Sequence, residues 1–310
     1  MAIKKNLVIT RAGPASLHHQ WLHPNTTRNF DVILTFYHSL PSEDLGEGVY
    51  AIFLPGKKVE GWGKIMSQFR EKIEKYERIA FLDDDIACDA IALSACFDIG
   101  QEYNLSLWQP SLSWDSYFTY GGTLHNKNFK LRYVNYIEMM CPFFTTSALK
   151  SVEPTFFLGL ESGIDLIWCS LISPEKRRCA IIDEVQVIHT RPVGRDKAAN
   201  GFTYHSYEDE IQDCLSHFEM PWPSLIANSA VLSNGNGVSR LSIAWYILSI
   251  LKALEFSPDP RALRQIVDHI RHQIFRRQIF NEKASDILSN TLSPTADELV
   301  ATPLLRAKNS

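Results

Sequence analysis

Long hydrophobic runs are missing from this chain. The longest mainly apolar stretch, 241–251, has 11 residues, against the roughly 20 a membrane-spanning helix needs. Near the start, only Leu7-Val8-Ile9-Thr10 precede Arg11, too short a run for the core of a secretory signal. The chain is therefore expected in the cytoplasm, at most peripheral to the inner face of a membrane. Paired cysteines are missing too. The six cysteines, at 88, 96, 141, 169, 179 and 214, form no CxxC and no zinc-like spacing, which argues against a disulfide scaffold or a zinc finger. Several sit inside apolar runs, where reduced, buried thiols are expected. Neither sign of charge dominates: 31 Lys and Arg face 35 Asp and Glu, a net charge of −4. No broad basic field therefore advertises nucleic acid, and an anionic ligand must be held by local groups or a metal. A GxxxxGK[ST] loop is absent, which disfavours a P-loop ATPase. No internal repeat or low-complexity tract is visible.

What is present is ordinary globular material. The 310 residues are 45% apolar and 11% aromatic, enough for a sizeable core and about two domains. Four short runs rich in Val, Ile, Leu and Phe, 6–10, 31–36, 49–54 and 78–82, read as strands covered on both faces. Each ends in a polar or Gly/Pro cluster. Residues 63–75 read as a helix, with Ile65, Phe69 and Ile73 on one face. This alternation predicts an α/β layer with a mainly parallel sheet, whose ligands sit at the carboxyl ends of the strands. Further on, 137–144 and 179–189 read as strands and 164–172 as a short helix. A boundary is expected near Pro221-Trp222-Pro223, dividing a catalytic domain (1–225) from a helical carboxy-terminal region (226–310). There, 241–254 and 261–283 read as helices, and residues beyond about 292 are expected to fray. The 261–283 segment carries six cations against Asp268 and Glu282, with Leu263, Ile266, Ile270 and Ile274 as apolar anchors. It suits a membrane surface or a partner helix, a dimer contact, or simple packing on the catalytic domain.

The sharpest motif is Leu82-Asp83-Asp84-Asp85-Ile86. A buried strand delivers three carboxylates to its exit, where they repel one another unless a cation compensates them. Hard oxygen ligands suit Mn²⁺ or Mg²⁺, which can also bridge a diphosphate. The plainer reading, a solvated acidic turn with one Asp as a helix cap, accounts for one of the three. A second apolar strand ends at His189, with Arg191 just beyond. His189 offers a third metal ligand and Arg191 a phosphate partner, although a histidine at a strand end is more often packed or simply exposed. A third motif, Gly159-Leu160-Glu161-Ser162-Gly163-Ile164-Asp165, puts Asp165 in the first turn of a short helix. It could serve the helix terminus or act as a general base on an acceptor hydroxyl; Glu161 is the competing carboxylate.

Five segments occur in order: RIAFLDDDI (78–86), LSLWQPSLS (105–113), YIEMMCPFF (136–144), GLESGIDLIWC (159–169) and AIIDEVQVIHTRP (180–192). Together they resemble the plant and bacterial domain of unknown function 707 family, which looks related to A-type (GT-A) nucleotide-sugar glycosyltransferases. The match spans roughly 60–195 and departs at Cys141 and at Ser162-Gly163-Ile164, while the Asp position of the turn is kept as Asp165. The resemblance implies a GT-A-like, Rossmann-like sheet flanked by helices. It also implies a metal-dependent transfer of sugar from a nucleotide sugar to a carbohydrate acceptor, plausible in surface polysaccharide biosynthesis. Under it Thr10, Arg11 and Ala12 line the nucleotide, and Asp83 and Asp84 face the donor. Asp83, Asp85 and His189 hold Mn²⁺ or Mg²⁺, Lys57 and Arg191 meet phosphate, and Asp165 is the base of an inverting transfer. Glu138 would contact the acceptor or be a paired core carboxylate. Gln109, Trp108 and Trp114 would shape the acceptor site or pack in the core. The alternatives are a carbohydrate- or nucleotide-binding protein that keeps the metal site without turnover and, third, an Asp-dependent phosphatase, which would need a lysine and a second Asp pair.

Overall fold

The computed structural model describes residues 5–22, 26–42, 45–193 and 207–292. The tail expected to fray lies almost wholly outside them. In chain order the elements are β1 (Asn6–Ala12), β2 (Phe30–Phe36), β3 (Val49–Phe53), α1 (Lys58–Gln68), α2 (Arg70–Ile73), β4 (Arg78–Leu82), β5 (Ile86–Ala87) and α3 (Ala90–Glu102). They continue as β6 (Leu107–Leu112), β7 (Phe129–Val134), β8 (Phe143–Thr145), α4 (Thr146–Val152), α5 (Asp165–Leu171), β9 (Cys179–His189) and α6 (Tyr207–His217). The last are β10 (Ala227–Leu232), β11 (Gly237–Ser239), α7 (Arg240–Ile247), α8 (Ala262–Phe275) and α9 (Ala284–Thr291).

The sheet order is β11-β10-β7-β9-β6-β8-β4-β1-β2-β3, with β5 paired to β9 off this path. Seven of these ten strands run one way and only β7, β8 and β11 oppose them, so the sheet is mainly parallel as expected. Adjacent aromatic side chains of β8 point to opposite faces and bind a helical layer to each. Phe144 meets Phe81 and Trp168, which join α1 and α5 through Trp62 and Phe156. Phe143 meets Phe97 of α3 and stacks on Trp108. The chain is thus an α/β fold with helices on both faces of the sheet.

Several expectations need correction. β3 is a half-exposed edge strand rather than one covered on both faces; Tyr50 and Phe53 face solvent. The helix expected over 63–75 starts earlier, at Lys58, because Gly61 and Gly63 dilute the apolar pattern there, and it breaks at Phe69. Of the 137–144 run only Phe143 and Phe144 are strand, at the start of β8. Before it the chain turns to side chains instead of a ladder: the Glu138 N–H bonds Gln109 Oε1 at 2.7 Å, and the Met139 N–H bonds Asp165.

Past residue 225 the chain first adds β10 and β11 to the sheet and only then becomes helical. The 241–254 helix divides into α7 and a tighter 3-10 segment, Leu248–Glu255. α8 stops at Phe275, well before 283. From there Arg276 and Gln278 reach back to Ser224 and the Ile226 carbonyl. The six cysteines are free, and all but Cys88 are buried. No helix among the described residues is long and apolar enough to cross a membrane.

Candidate functional site

The parallel strands β1 and β4 end side by side, with Thr10 opposite Leu82. Beyond Leu82 the three aspartates leave the sheet and take three different partners. Asp83 binds the Lys58 ammonium at 2.6 Å. Asp84 accepts the Gly13 N–H at 2.7 Å and an Arg191 N–H at 3.0 Å. A side chain at Gly13 would collide with the Tyr37 hydroxyl, 2.2 Å from where its Cβ would lie, so glycine permits this approach. Asp85 faces His189 Nε2 at 3.2 Å.

Residues 85 and 189 meet because β5 pairs antiparallel with the end of β9, Ile86 opposite His189. The Asp85 carbonyl accepts both the amide and the hydroxyl of Thr190. Asp83, Asp85 and His189 thus offer three ligand atoms within 4.8 Å of one another. His189 Nδ1 lies 2.9 Å from the Tyr117 carbonyl. A carbonyl can only accept, so Nδ1 carries a proton and Nε2 faces the carboxylates: protonated, it donates to Asp85, and deprotonated, it presents the lone pair a metal would need.

Electrostatics mark the same cluster. Burial pushes the Asp83 carboxyl up to about 6, against the pull of Lys58 and with help from the Asp85 charge. Burial would also raise Asp85, but the hydrogen bond and charge of His189 hold it below the ordinary carboxylate range. His189, despite burial, is lifted to about 8 by Asp85. Two carboxylates and an imidazole with its tautomer set by a carbonyl fit a divalent cation.

Asp165 opens α5 two residues after Gly163, whose φ of +86° favours glycine and where a Cβ would lie 2.9 Å from the Ile211 Cα of α6. Its Oδ2 accepts the Tyr136 hydroxyl at 2.7 Å and the Met139 N–H at 3.1 Å. The Met139 carbonyl in turn accepts the Lys58 ammonium at 3.0 Å. One residue, Met139, therefore ties Asp165 to the cation that holds Asp83. Burial raises the Asp165 carboxyl. Glu138 lies beside it and is pushed up to about 7, first by burial and then by the Asp165 charge. Glu138 Oε2 is buried without a hydrogen-bond partner among the described residues. The cluster, Asp165 and Glu138 line one cleft of about 710 Å³.

Arg11, Lys57 and Arg191 also line this cleft. Arg11 is committed to the carbonyls of Leu54 and Gly56. Arg191 is held by Asp84 and the Ala15 carbonyl. Thr10 and Ala12 are not in the wall; both are fully buried, and the Thr10 hydroxyl donates to the Leu82 carbonyl at 2.6 Å. Glu161 does line the cleft, but its carboxylate accepts the N–H groups of Val59 and Glu60 at 2.8 and 3.1 Å. It caps α1 from outside the helix. Trp108 is in the core, and Trp114 stacks on Phe256. Gln109 is fully buried and serves the Glu138 amide.

Sequence reasoning missed Lys58, Tyr136, Tyr120 and Arg261, all of which line the cleft. Lys58 is one residue from the chosen Lys57, in the same strand-exit cluster, and Tyr136 is two before Glu138 in a motif already singled out. Arg261 carried no local signal.

No protein-family model and no curated protein matches the chain. Among solved structures it is similar to A197 from STIV, at 14% identity over 76% of this chain and 93% of that one, with a TM-score of 0.36. It is also similar to residues 1–349 of S. aureus TarS, solved in complex with UDP-GlcNAc, at 10% identity over 88% of this chain and 82% of that one, with a TM-score of 0.43.

Proposed function

We propose that the protein is a metal-dependent glycosyltransferase that moves a sugar from a nucleoside-diphosphate sugar to a carbohydrate hydroxyl. The observation that carries this reading is the gathering of Asp83, Asp85 and His189 in the same cleft as the buried carboxyls of Asp165 and Glu138. Asp83, Asp85 and His189 would hold Mn²⁺ or Mg²⁺. Such an ion neutralises diphosphate charge as the sugar–phosphate bond breaks. The cleft's own cations support this need, since Arg11, Arg191, Lys57 and Lys58 already have partners.

Lys58 and Arg191 orient the carboxylates that face the donor. Asp165 removes the acceptor proton as the new bond forms, and Tyr136 and the Met139 amide aim its Oδ2. Glu138, with an unspent oxygen, hydrogen-bonds the acceptor. A base acting on the acceptor in a single displacement inverts the anomeric carbon. The Lys58–Asp83 pair also meets one requirement of an Asp-dependent phosphatase. Among the described residues, however, the third member of the acidic cluster is His189 rather than a second Asp pair.

The test is a thermal-shift and calorimetry panel of nucleoside-diphosphate sugars with and without Mn²⁺, followed by mass spectrometry of acceptor oligosaccharides. A metal-dependent rise in melting temperature with one donor class, and a mass increment of one sugar, is expected. Binding without turnover on any acceptor would favour a binding protein, and no donor binding with or without Mn²⁺ would reject the reading.

A further inference from the structure

We infer that the outer face of α7, the 3-10 segment Leu248–Glu255 and α8 is a docking surface for an anionic lipid membrane. Eleven of the nineteen large apolar side chains left exposed among the described residues fall between 241 and 279. Isolated exposed apolar residues are normal, but a concentration of them marks an interaction surface.

Their spacing is helical. On α7 and its continuation Leu241, Trp245 and Leu248 follow i, i+4, i+7, opposite the buried Ile243, Ile247 and Ile250; Leu241 is 87% exposed and Trp245 77%. On α8, Leu263, Val267 and Ile274 face outward, opposite the buried Ile266, His269 and Gln273, and Phe275 is 78% exposed. The inner faces are firmly seated. Gln273 exchanges hydrogen bonds of 2.9 and 2.7 Å with the Ala227 backbone, and Gln265 donates to the Phe118 carbonyl at 2.8 Å. The outward hydrocarbon is therefore not the residue of a poorly packed helix.

Charge selects the occupant. Residues 240–283 carry eight Lys and Arg against four Asp and Glu, within a chain of net charge −4. Three of the four acids are paired, Asp259 with Arg261, Glu282 with Arg177, and Asp268 with Arg264 and Arg271. Arg264 and Arg271 sit among the apolar residues of α8, sharing Asp268 between them. A second copy of this chain would bring two net-positive segments together, whereas anionic headgroups complement the segment's charge. Tryptophan and phenylalanine amid arginine suit the boundary between acyl chains and headgroups. The surface begins two residues from Arg261, which lines the cleft, so docking would hold the cleft's Arg261 edge near the bilayer.

Co-sedimentation with phosphatidylcholine vesicles, with and without phosphatidylglycerol, tests this independently of any sugar chemistry. The wild-type chain is expected to pellet only with the anionic vesicles, and less so in high salt. Trp245→Ser with Phe275→Ser, and separately Arg264→Glu with Arg271→Glu, should each lower the partition coefficient by at least about tenfold. Circular dichroism melts should be unchanged, because these side chains are exposed. Equal pelleting of wild type and both variants, or no pelleting of the wild type, would overturn the inference. So would a wild-type dimer in light scattering that Trp245→Ser converts to monomer, which would make the face a contact between copies.

Discussion

At the exits of β1 and β4 the protein gathers charge inside; on α7 and α8 it leaves hydrocarbon outside. Both depart from ordinary partitioning, and each is tolerated for a different reason. In the cleft Asp83, Asp84 and Asp85 each have a separate cationic partner, Lys58, Arg191 and His189, so three adjacent carboxylates can sit together. On the helices nothing among the described residues covers the apolar side chains, and the membrane proposed above would cover them. An internally balanced departure points to chemistry, and an unbalanced one to a surface partner.

The sharpest way to break the first half of this contrast is to remove one ligand of the cluster. Asp85→Ala should abolish metal-dependent nucleotide-sugar binding while the fold persists, since the β5–β9 pairing that carries residue 85 uses backbone groups. Calorimetry with Mn²⁺ checks it, and unchanged donor affinity would reject Asp85 as a ligand.

Asp165→Asn keeps the shape that Tyr136 and Met139 recognise but removes the basicity. Transfer should fall by about 10²–10⁴-fold, with donor affinity retained in the same titration. Rates within a few-fold of wild type would shift the role to Glu138.

The seam between the two regions can be weakened on its own. Arg132 on β7 and Asp183 on β9 form a fully buried bidentate pair, and Arg132 also holds the Gly122 and Leu124 carbonyls. The 121–123 turn between them packs on α8, where a side chain at Gly121 would meet the Gln265 backbone at 2.9 Å. Arg132→Met strands the Asp183 charge and should cost about 3–5 kcal/mol in denaturant unfolding. The double change with Asp183→Leu should recover much of that loss. A single variant as stable as wild type would mean the pair does not hold the seam.

The smallest effect is a pH dependence confined to the cleft. In metal-free protein His189 is lifted to about 8 in the fold, above the ordinary value near 6.5 that it takes when unfolded. Its contribution is therefore fully present below about 6.5 and lost as pH rises through 8. The loss is on the order of 2 kcal/mol. Unfolding curves of wild type and His189→Gln across this window should converge at the alkaline end; parallel curves would deny the Asp85 pair a role.

Much of the cleft was legible in the sequence, and the reason is local. A run of β-branched and aromatic residues that ends in Asp-Asp-Asp already says that carboxylates leave a buried strand together, and a second run ending in His189 says the same of an imidazole. The strand limits of β4 and β9 follow from these patterns alone. Periodicity also marks apolar positions on α8, but the fold divides them, burying Ile266 and exposing Leu263 and Ile274. What the sequence could not decide is who meets whom. The β5–β9 register brings Asp85 to His189, a turn and loop path through 135–142 replaces an expected strand, and the Glu161 carboxylate caps α1. The choice of Lys58 over Lys57 depends on which way one turn of α1 points. Patterning reports burial because the hydrophobic effect acts residue by residue; pairing depends on long-range closure of the sheet, which only the assembled fold determines.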